Sequence, residues 1–156
     1  MIVTYEELIK ALAERYNVLS ALAEDGSLAI EVDDTPVSFR KANGAVAVVG
    51  RVCAMPEDAQ GRVAGLLLKA SALMAAAGSG AFTLDESYSD VSIACTVSTV
   101  RMDVDRLSRA VEWLVDACHE WKGNIMAIAA VDDELERKRL EERALNPLFG
   151  GNFIRV

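Results

Sequence analysis

Residues 28–52, with the sequence LAIEVDDTPVSFRKANGAVAVVGRV, decide the fold of this 156-residue chain. Apolar residues alternate with polar or small ones over residues 28–32 and again over 37–40, as in strands that bury one face. Asn43-Gly44 is a strong hairpin signal, because both residues tolerate positive φ. Residues 45–52 are almost continuously apolar, so we expect both faces of this third strand to be covered. The stretch predicts a three-stranded meander.

A helix is predicted before the meander. Thr4 and Glu7 have the spacing of a capping box, in which each side chain satisfies a free backbone N–H of the other residue. The apolar residues that follow lie on one stripe of a helix. They are Tyr5, Leu8, Ile9, Leu12, Ala13 and Tyr16.

Two helices and two strands are predicted after the meander. Pro56 can open the second helix, which should end at Gly78-Ser79-Gly80. Residues 81–85 predict a short strand, and the alternation over residues 91–99 gives the clearest half-buried strand of the chain. Asp103 is placed to cap the third helix.

The predicted order is helix, three strands, helix, two strands, helix. No strand–helix–strand unit repeats evenly, so we expect an α+β fold with helices packed on an antiparallel sheet. Gly123-Asn124 marks a boundary between a domain of residues 1–125 and an extension of residues 126–156. The extension contains a charged helix over residues 132–143 and a tail after Pro147 with Leu, Phe and Ile residues.

The charge of the chain disfavours two classes of partner. Acidic residues outnumber basic ones by 24 to 16, which gives a net charge of −8. Without a cluster of Lys and Arg, neither nucleic acid nor an anionic membrane surface is an expected partner. Cys53, Cys95 and Cys118 each lie in an apolar stretch, as reduced thiols do in the cytosol. No signal peptide or membrane span is recognised, so we expect a cytoplasmic protein.

No catalytic, metal or cofactor site is predicted. His119 is the only histidine and has no ligand-spaced Cys or His around it, so we interpret it as a solvent-facing helix residue. The glycines of residues 77–81 follow a helix and precede a strand, the reverse of a phosphate-binding loop. No nucleophile motif is present, and we expect that the chain is not an enzyme.

The second helix is apolar on both sides, which predicts that it is buried on both sides. Its core stripe is expected to comprise Val63, Leu66, Leu67, Ala70, Leu73, Met74 and Ala77. Small residues on the opposite face would let a second backbone approach, and C2 dimers are the commonest oligomers. Cover by the chain's own extension is the alternative. The residues expected at a dimer interface are Gly61, Gly65, Leu68, Ala72 and Ala76.

Several stretches together resemble the Tir-chaperone family, the class I type III secretion chaperones. They are residues 66–70 (LLLKA), 80–86 (GAFTLDE), 91–94 (VSIA) and the predicted helix from Leu107 to Trp121. The family pattern is an apolar helix, a glycine break, a short strand ending in Leu-Asp-Glu, an alternating strand and a last helix ending near a Trp. The resemblance covers about residues 3–125 and does not extend to residues 126–156.

The resemblance implies a homodimer without enzymatic activity that binds the N-terminal segment of a secreted effector. In the family, the first helix and the exposed sheet face provide the binding grooves. Mapped onto this chain, the expected effector-binding residues are Leu8, Leu12, Tyr16, Leu28, Ile30 and Val32, although each of them, taken singly, is better explained as an ordinary core residue. Two other functions stay open: a regulator with this fold that serves no secretion system, and an enzyme with a site at the dimer interface.

Trp113 is predicted on the polar side of the third helix, away from the core stripe. An exposed Trp is unusual there, and Trp is enriched at binding hot spots. We expect Trp113 to contact either the apolar tail of residues 148–154, from its own or a partner protomer, or an outside protein. The alternative is a partly exposed ring lying flat across its neighbours.

Overall fold

The computed structural model describes residues 3–57 and 61–145 of the chain. Its element order confirms the predicted α+β fold. The elements are α1 (Tyr5–Arg15), a 3-10 turn (Leu19–Ala21), β1 (Leu28–Val32), β2 (Thr35–Ala42), β3 (Ala45–Ala54), α2 (Arg62–Ala76), β4 (Ala81–Leu84), β5 (Asp90–Ser98) and α3 (Val104–Leu145).

All five strands form one antiparallel sheet in the order β1-β2-β3-β5-β4. The β1–β2 connection is a two-residue turn in which Asp33 and Asp34 both have positive φ, 46° and 61°. Such turns match the right-handed twist of the flanking strands. Gly44, with φ of 65°, makes the β2–β3 turn that the Asn-Gly pair predicts.

The capping box at the start of α1 is present as the sequence predicts. Thr4 accepts from the Glu7 amide, and the Glu7 carboxylate accepts from the Thr4 amide at 2.9 Å. The helix buries its whole apolar stripe except Tyr16, which is half-buried. The stripe belongs to the apolar core, and the Tyr5 hydroxyl, which lies 3.0 Å from the Gly26 carbonyl oxygen and 3.3 Å from that of Phe39, ties the start of α1 to the sheet.

The inner face of the sheet packs against α3. Val48, Gly50 and Val52 of β3 are buried, and Phe39 of the neighbouring strand is fully buried beside them. A Cβ atom placed on Gly50 would lie 2.8 Å from Cys118 Sγ of α3. The helix therefore rests directly on the β3 backbone, and glycine is what permits that approach.

Two predicted details of α2 are wrong. The helix begins at Arg62 rather than at Pro56, because Gly61 before it has a left-handed φ of 77° that cannot continue a helix. Leu73 is 74% exposed instead of lying in the core stripe. The sheet edge covers a narrower arc of α2 than the predicted core stripe occupies, and only Val63, Leu67 and Ala70 of the helix are buried.

The third helix does not end at the predicted boundary, since α3 continues through Gly123 and Asn124 to Leu145. A helical glycine costs only about 1 kcal/mol relative to alanine. Packing offsets this cost, because Ile125 just beyond is fully buried and Ile128 packs against the core. The division into residues 1–125 and 126–156 therefore does not coincide with the end of a helix.

We predict that Gly50→Ala destabilises the fold by about 1–3 kcal/mol, the usual cost of overpacking. The new methyl group would overlap Cys118 Sγ at 2.8 Å and Leu114 Cγ at 3.2 Å. Urea unfolding followed by circular dichroism measures the change. Gly123→Ala is the matched control, because no atom lies within 4 Å of its added Cβ. It should leave stability unchanged or raise it by up to about 1 kcal/mol; equal stabilities of the two variants would contradict the close approach.

Candidate functional site

The outer face of the sheet carries a shallow depression. One row of outward-facing residues crosses four strands, from Ala29 through Ser38 and Val49 to Ala94. The depression has a volume of about 380 Å³ and includes the first three of these residues with Glu31, Pro36, Arg51 and Ser92. The residues of this row are small, so an extended chain could lie close to the sheet.

We expected both faces of β3 to be covered, and the structure corrects this within its described residues. Val46, Val48 and Val52 are buried on the inner face, whereas Ala47 and Val49 on the outer face are only half-buried. The apolar character of the outer side is therefore not explained by the packing of the helices that the structure describes. It marks a surface suited to a partner.

Charged groups surround the depression. Arg51 Nε donates to the Asp90 carboxylate at 3.0 Å, and this hydrogen bond raises the pKa of the guanidinium. Glu31 and Arg40 are exposed on neighbouring strands. The rim thus carries both signs of charge around an apolar floor, which is the usual anatomy of a protein–protein contact.

Four of the six expected effector-binding residues lie in the core instead. Leu8, Leu12, Leu28 and Ile30 have at most 7% of their surface exposed. They belong to the inward half of each alternation, where α1 and the sheet cover one another. Tyr16 and Val32 are half-buried, and the Tyr16 hydroxyl lies 3.2 Å from Ser108 Oγ. The outward half of β1, Ala29 and Glu31, could have been found from the same alternation.

The outer face of α2 is accessible in the described chain. Leu68 is 73% exposed, and Leu73, about 140° around the helix from Leu68, adds a second exposed large apolar side chain at the border of this face. The other residues expected at a dimer interface are exposed or, for Gly65, half-buried; they are Gly61, Gly65, Ala72 and Ala76.

Contacts with β4 hold α2 at the edge of the sheet. Ser71 Oγ accepts a hydrogen bond from the Phe82 amide at 2.8 Å, which satisfies an outward N–H of this edge strand. The Phe82 ring meets Trp121 of α3 edge-on, with ring centroids 4.8 Å apart. The accessible face of α2 is therefore presented beside a rigid sheet edge.

His119 is exposed as expected, but it also has a structural role that sequence reasoning missed. Its Nε2 atom lies 3.0 Å from the Asp33 carbonyl oxygen and 3.0 Å from Thr35 Oγ1. A carbonyl oxygen only accepts, so Nε2 carries its single proton, which the Asp33 carbonyl oxygen and Thr35 Oγ1 share as acceptors. The contact joins α3 to the β1–β2 turn and gives the buried Thr35 hydroxyl a partner. The residues are 84 to 86 positions apart, and no local pattern connects them.

Burial and local hydrogen bonds account for the shifted pKa values among the described residues. Burial raises the pKa of the Cys53 and Cys95 thiols, and that of Cys118 to about 11. Hydrogen bonds, first from the Ser87 hydroxyl, hold the pKa of the Asp85 carboxyl well below its usual range within the β4–β5 turn. Across residues 3–57 and 61–145, no three His, Cys, Asp or Glu side chains are grouped to hold a metal.

Hydropathy distinguishes these helices from membrane spans. Among the helices that the structure describes, none combines the length and the apolar character needed to cross a bilayer.

A sequence model of the Tir chaperone protein (CesT) family matches residues 7–122, most of the core domain. The chain belongs to this family. The match confirms the resemblance seen in the sequence and ends just before the outer half of α3. A comparison with curated protein sequences gives no match.

Solved structures with the same fold include three complexes. The ExsC-ExsE complex is 16% identical with a TM-score of 0.65, and the match covers 75% of this chain and 90% of that chain. The HopA1-SchA chaperone-effector complex is 14% identical, with a TM-score of 0.61 and coverage of 76% and 93%. The Yersinia pestis type III secretion chaperone SycH, in complex with a fragment of YscM2, is 17% identical, with a TM-score of 0.55 and coverage of 74% and 97%.

We predict that His119→Ala lowers the free energy of unfolding by about 1–3 kcal/mol, because it leaves the buried Thr35 hydroxyl without its partner. Amide hydrogen exchange should accelerate in the β1–β2 turn. Glu120→Ala, at the next and exposed position of α3, is the control and should change stability by less than about 0.5 kcal/mol. Unchanged exchange in the turn of the His119 variant would rule out the tether.

Proposed function

We propose that this protein is a homodimeric cytoplasmic chaperone that binds the N-terminal segment of a type III secretion effector and keeps it competent for export. Membership of the Tir chaperone family carries the proposal. Two accessible apolar surfaces of this chain support it: the outer face of α2 and the depression on the outer face of the sheet.

The outer face of α2 suits a contact between two copies. An isologous C2 interface uses the same patch on both partners, so its centre must tolerate its own copy. Alanines and glycines at the middle of the face allow two helices to approach closely. Leu68 and Leu73 at its sides would supply most of the apolar area. Burying these two leucines would contribute roughly 1.5–3 kcal/mol each before the costs of association.

The sheet depression suits an extended segment of a partner. A disordered N-terminal segment can order itself on a preformed surface, with alternate side chains directed toward the sheet. The small residues of the row Ala29, Ser38 and Val49 leave room for those side chains. β1 is an edge strand whose first residue, Leu28, is bridged to Leu22, and the rest of this edge could add backbone hydrogen bonds to a strand beside it.

Binding in this proposal proceeds without turnover. His119 Nε2 lies near the Thr35 hydroxyl, but it carries a proton toward the Asp33 carbonyl oxygen and so cannot act as a base for that hydroxyl. The three thiols have raised pKa values that disfavour the reactive thiolate. The protein would act stoichiometrically and without ATP. A regulator with this fold, serving no secretion system, would share the dimer but would bind no effector.

Trp113 is a third candidate contact, 46% exposed on α3. The expected contact with the tail falls on residues 146–156, which lie outside the described residues. The tail of the same protomer cannot reach Trp113. About 48 Å of helix separate Trp113 from Leu145, whereas Ile154 is nine residues beyond Leu145 and can extend at most about 32 Å from it. A partner protomer or the effector is therefore the better candidate for Trp113.

The first test concerns the dimer. Light scattering of the purified protein should give twice 16.8 kDa. Ala72→Arg should shift the protein to monomer or aggregate, because it places two charges face to face at the centre of the contact. Ala130→Arg makes the same change at an exposed alanine of α3 and should leave the dimer intact. A native monomer at micromolar concentration would exclude the proposed interface.

The second test concerns the sheet depression. The probe is a peptide with the sequence of the N-terminal segment of the protein encoded by the gene next to that of this chain, and the native protein should protect it from proteolysis without ATP. Val49→Glu should weaken binding at least tenfold, because it places a carboxylate on the apolar floor.

Thr96→Glu adds the same charge to the same outer face of the sheet, but on β5 and outside the depression. This variant should bind the segment as the native chain does. Calorimetry gives the affinities, and circular dichroism checks that both variants fold. Equal affinities of the two folded variants would place the effector elsewhere. Failure of the native protein to protect the segment would favour the regulator.

A further inference from the structure

The outer part of α3 stands clear of the domain. From Ala130 to Glu142, every side chain that the structure describes is exposed. This part of the helix lies beyond the residues matched by the family sequence model, so membership of the family does not explain it. Helices of this length are marginal in water unless one face is packed.

An apolar stripe runs along this part of the helix. Ile128, Val131 and Leu135 follow one another at spacings of three and four residues, which places them on one side of a helix. Ile128 packs partly against the core, whereas Val131 and Leu135 are 55% and 41% exposed. The stripe therefore begins at the core and continues into solvent.

A second copy of the helix is a poor occupant for this stripe. The next positions at the same spacing are Lys138 and Glu142, both charged and exposed. A coiled-coil seam would thus end after three apolar residues, whereas a stable one needs about three to four heptads. The occupant should be short and should bring its own apolar groups.

The chain after Leu145 has the right length and composition. Asn146-Pro147 disfavours further helix, and Gly150-Gly151 permits a reversal of direction. Val131 and Leu135 lie about 21 and 15 Å before Leu145 along the helix. Phe153 is eight residues beyond Leu145 and can reach about 26 Å, so both positions are within its range.

We propose that residues 148–154 fold back along α3 and cover the stripe, with Phe153 and Ile154 on Val131 and Leu135. The exposed acidic side chain of Glu134 lies beside the stripe, about 60° around the helix from Val131, and would meet Arg155 of the returning segment. The docked segment would stiffen the outer helix and remove its apolar groups from water. The inference does not depend on the proposed function.

An engineered disulfide tests this contact in the full-length chain. Leu135→Cys combined with Phe153→Cys should form an intramolecular disulfide under mild oxidation. The native thiols interfere little, because Cys53 and Cys118 are buried and Cys95 is half-buried. The matched control is Asp133→Cys with Phe153→Cys, because Asp133 lies about 160° around the helix from Leu135 at nearly the same height.

We expect the Leu135 pair to close at least tenfold faster than the Asp133 pair, as a monomeric species on a non-reducing gel. Equal rates, or no closure in either variant, would overturn the docking. A predominant disulfide-linked dimer would overturn it in favour of a second copy on the stripe.

Hydrogen exchange gives an independent measurement. The double variant Phe153→Ser, Ile154→Ser should speed amide exchange over residues 130–142 severalfold relative to the native chain. Unchanged exchange in that helix would likewise overturn the proposal.

Discussion

The contact of α3 with the β3 backbone at Gly50 is the constraint on which the rest of the structure depends. With Leu114 and Cys118 directly on the strand, the helix axis lies low over the centre of the sheet. That position lets Leu107 and Val111 close the core against α1, and Trp121 meet Phe82 of the far edge. A side chain at position 50 would lift the helix and open each of these contacts.

One-sided packing of the sheet has a direct functional meaning. The described helices cover the inner face and leave an outer face whose central strand is still apolar. A domain of this size has enough core to fold in this way, so the uncovered face can serve a partner. The edge position of α2 similarly leaves its small-residue face available. The two surfaces lie on different sides of the chain, and binding at one need not block the other.

Sequence patterns predicted the elements well and the surfaces less well. Alternation located β1, β2 and β5, and turn chemistry placed the hairpins, because these signals are local. The family resemblance placed Leu28 and Ile30 at a partner surface, whereas the alternation of β1 already put these larger apolar residues on the buried face, where the structure has them. Leu73 was misplaced because the width of the buried arc depends on the neighbouring sheet edge. Gly123 was predicted to mark the end of the helix. The tertiary packing of Ile125, which compensates for the low helix propensity of glycine, is not visible in the local sequence. The His119 contact joins residues too far apart in sequence for any pattern to show it.

The place of α3 at the end of the domain has a consequence for synthesis. The β1–β3 meander is complete at Ala54, but Cys118, which covers its inner face, is added 64 residues later. At about 5–20 residues per second, the ribosome needs roughly 3–13 s for that interval. Hairpins form in microseconds, so the nascent chain carries a paired sheet with an uncovered apolar face for seconds. A protein built to shield another chain thus passes through a stage in which it must itself be kept from its neighbours.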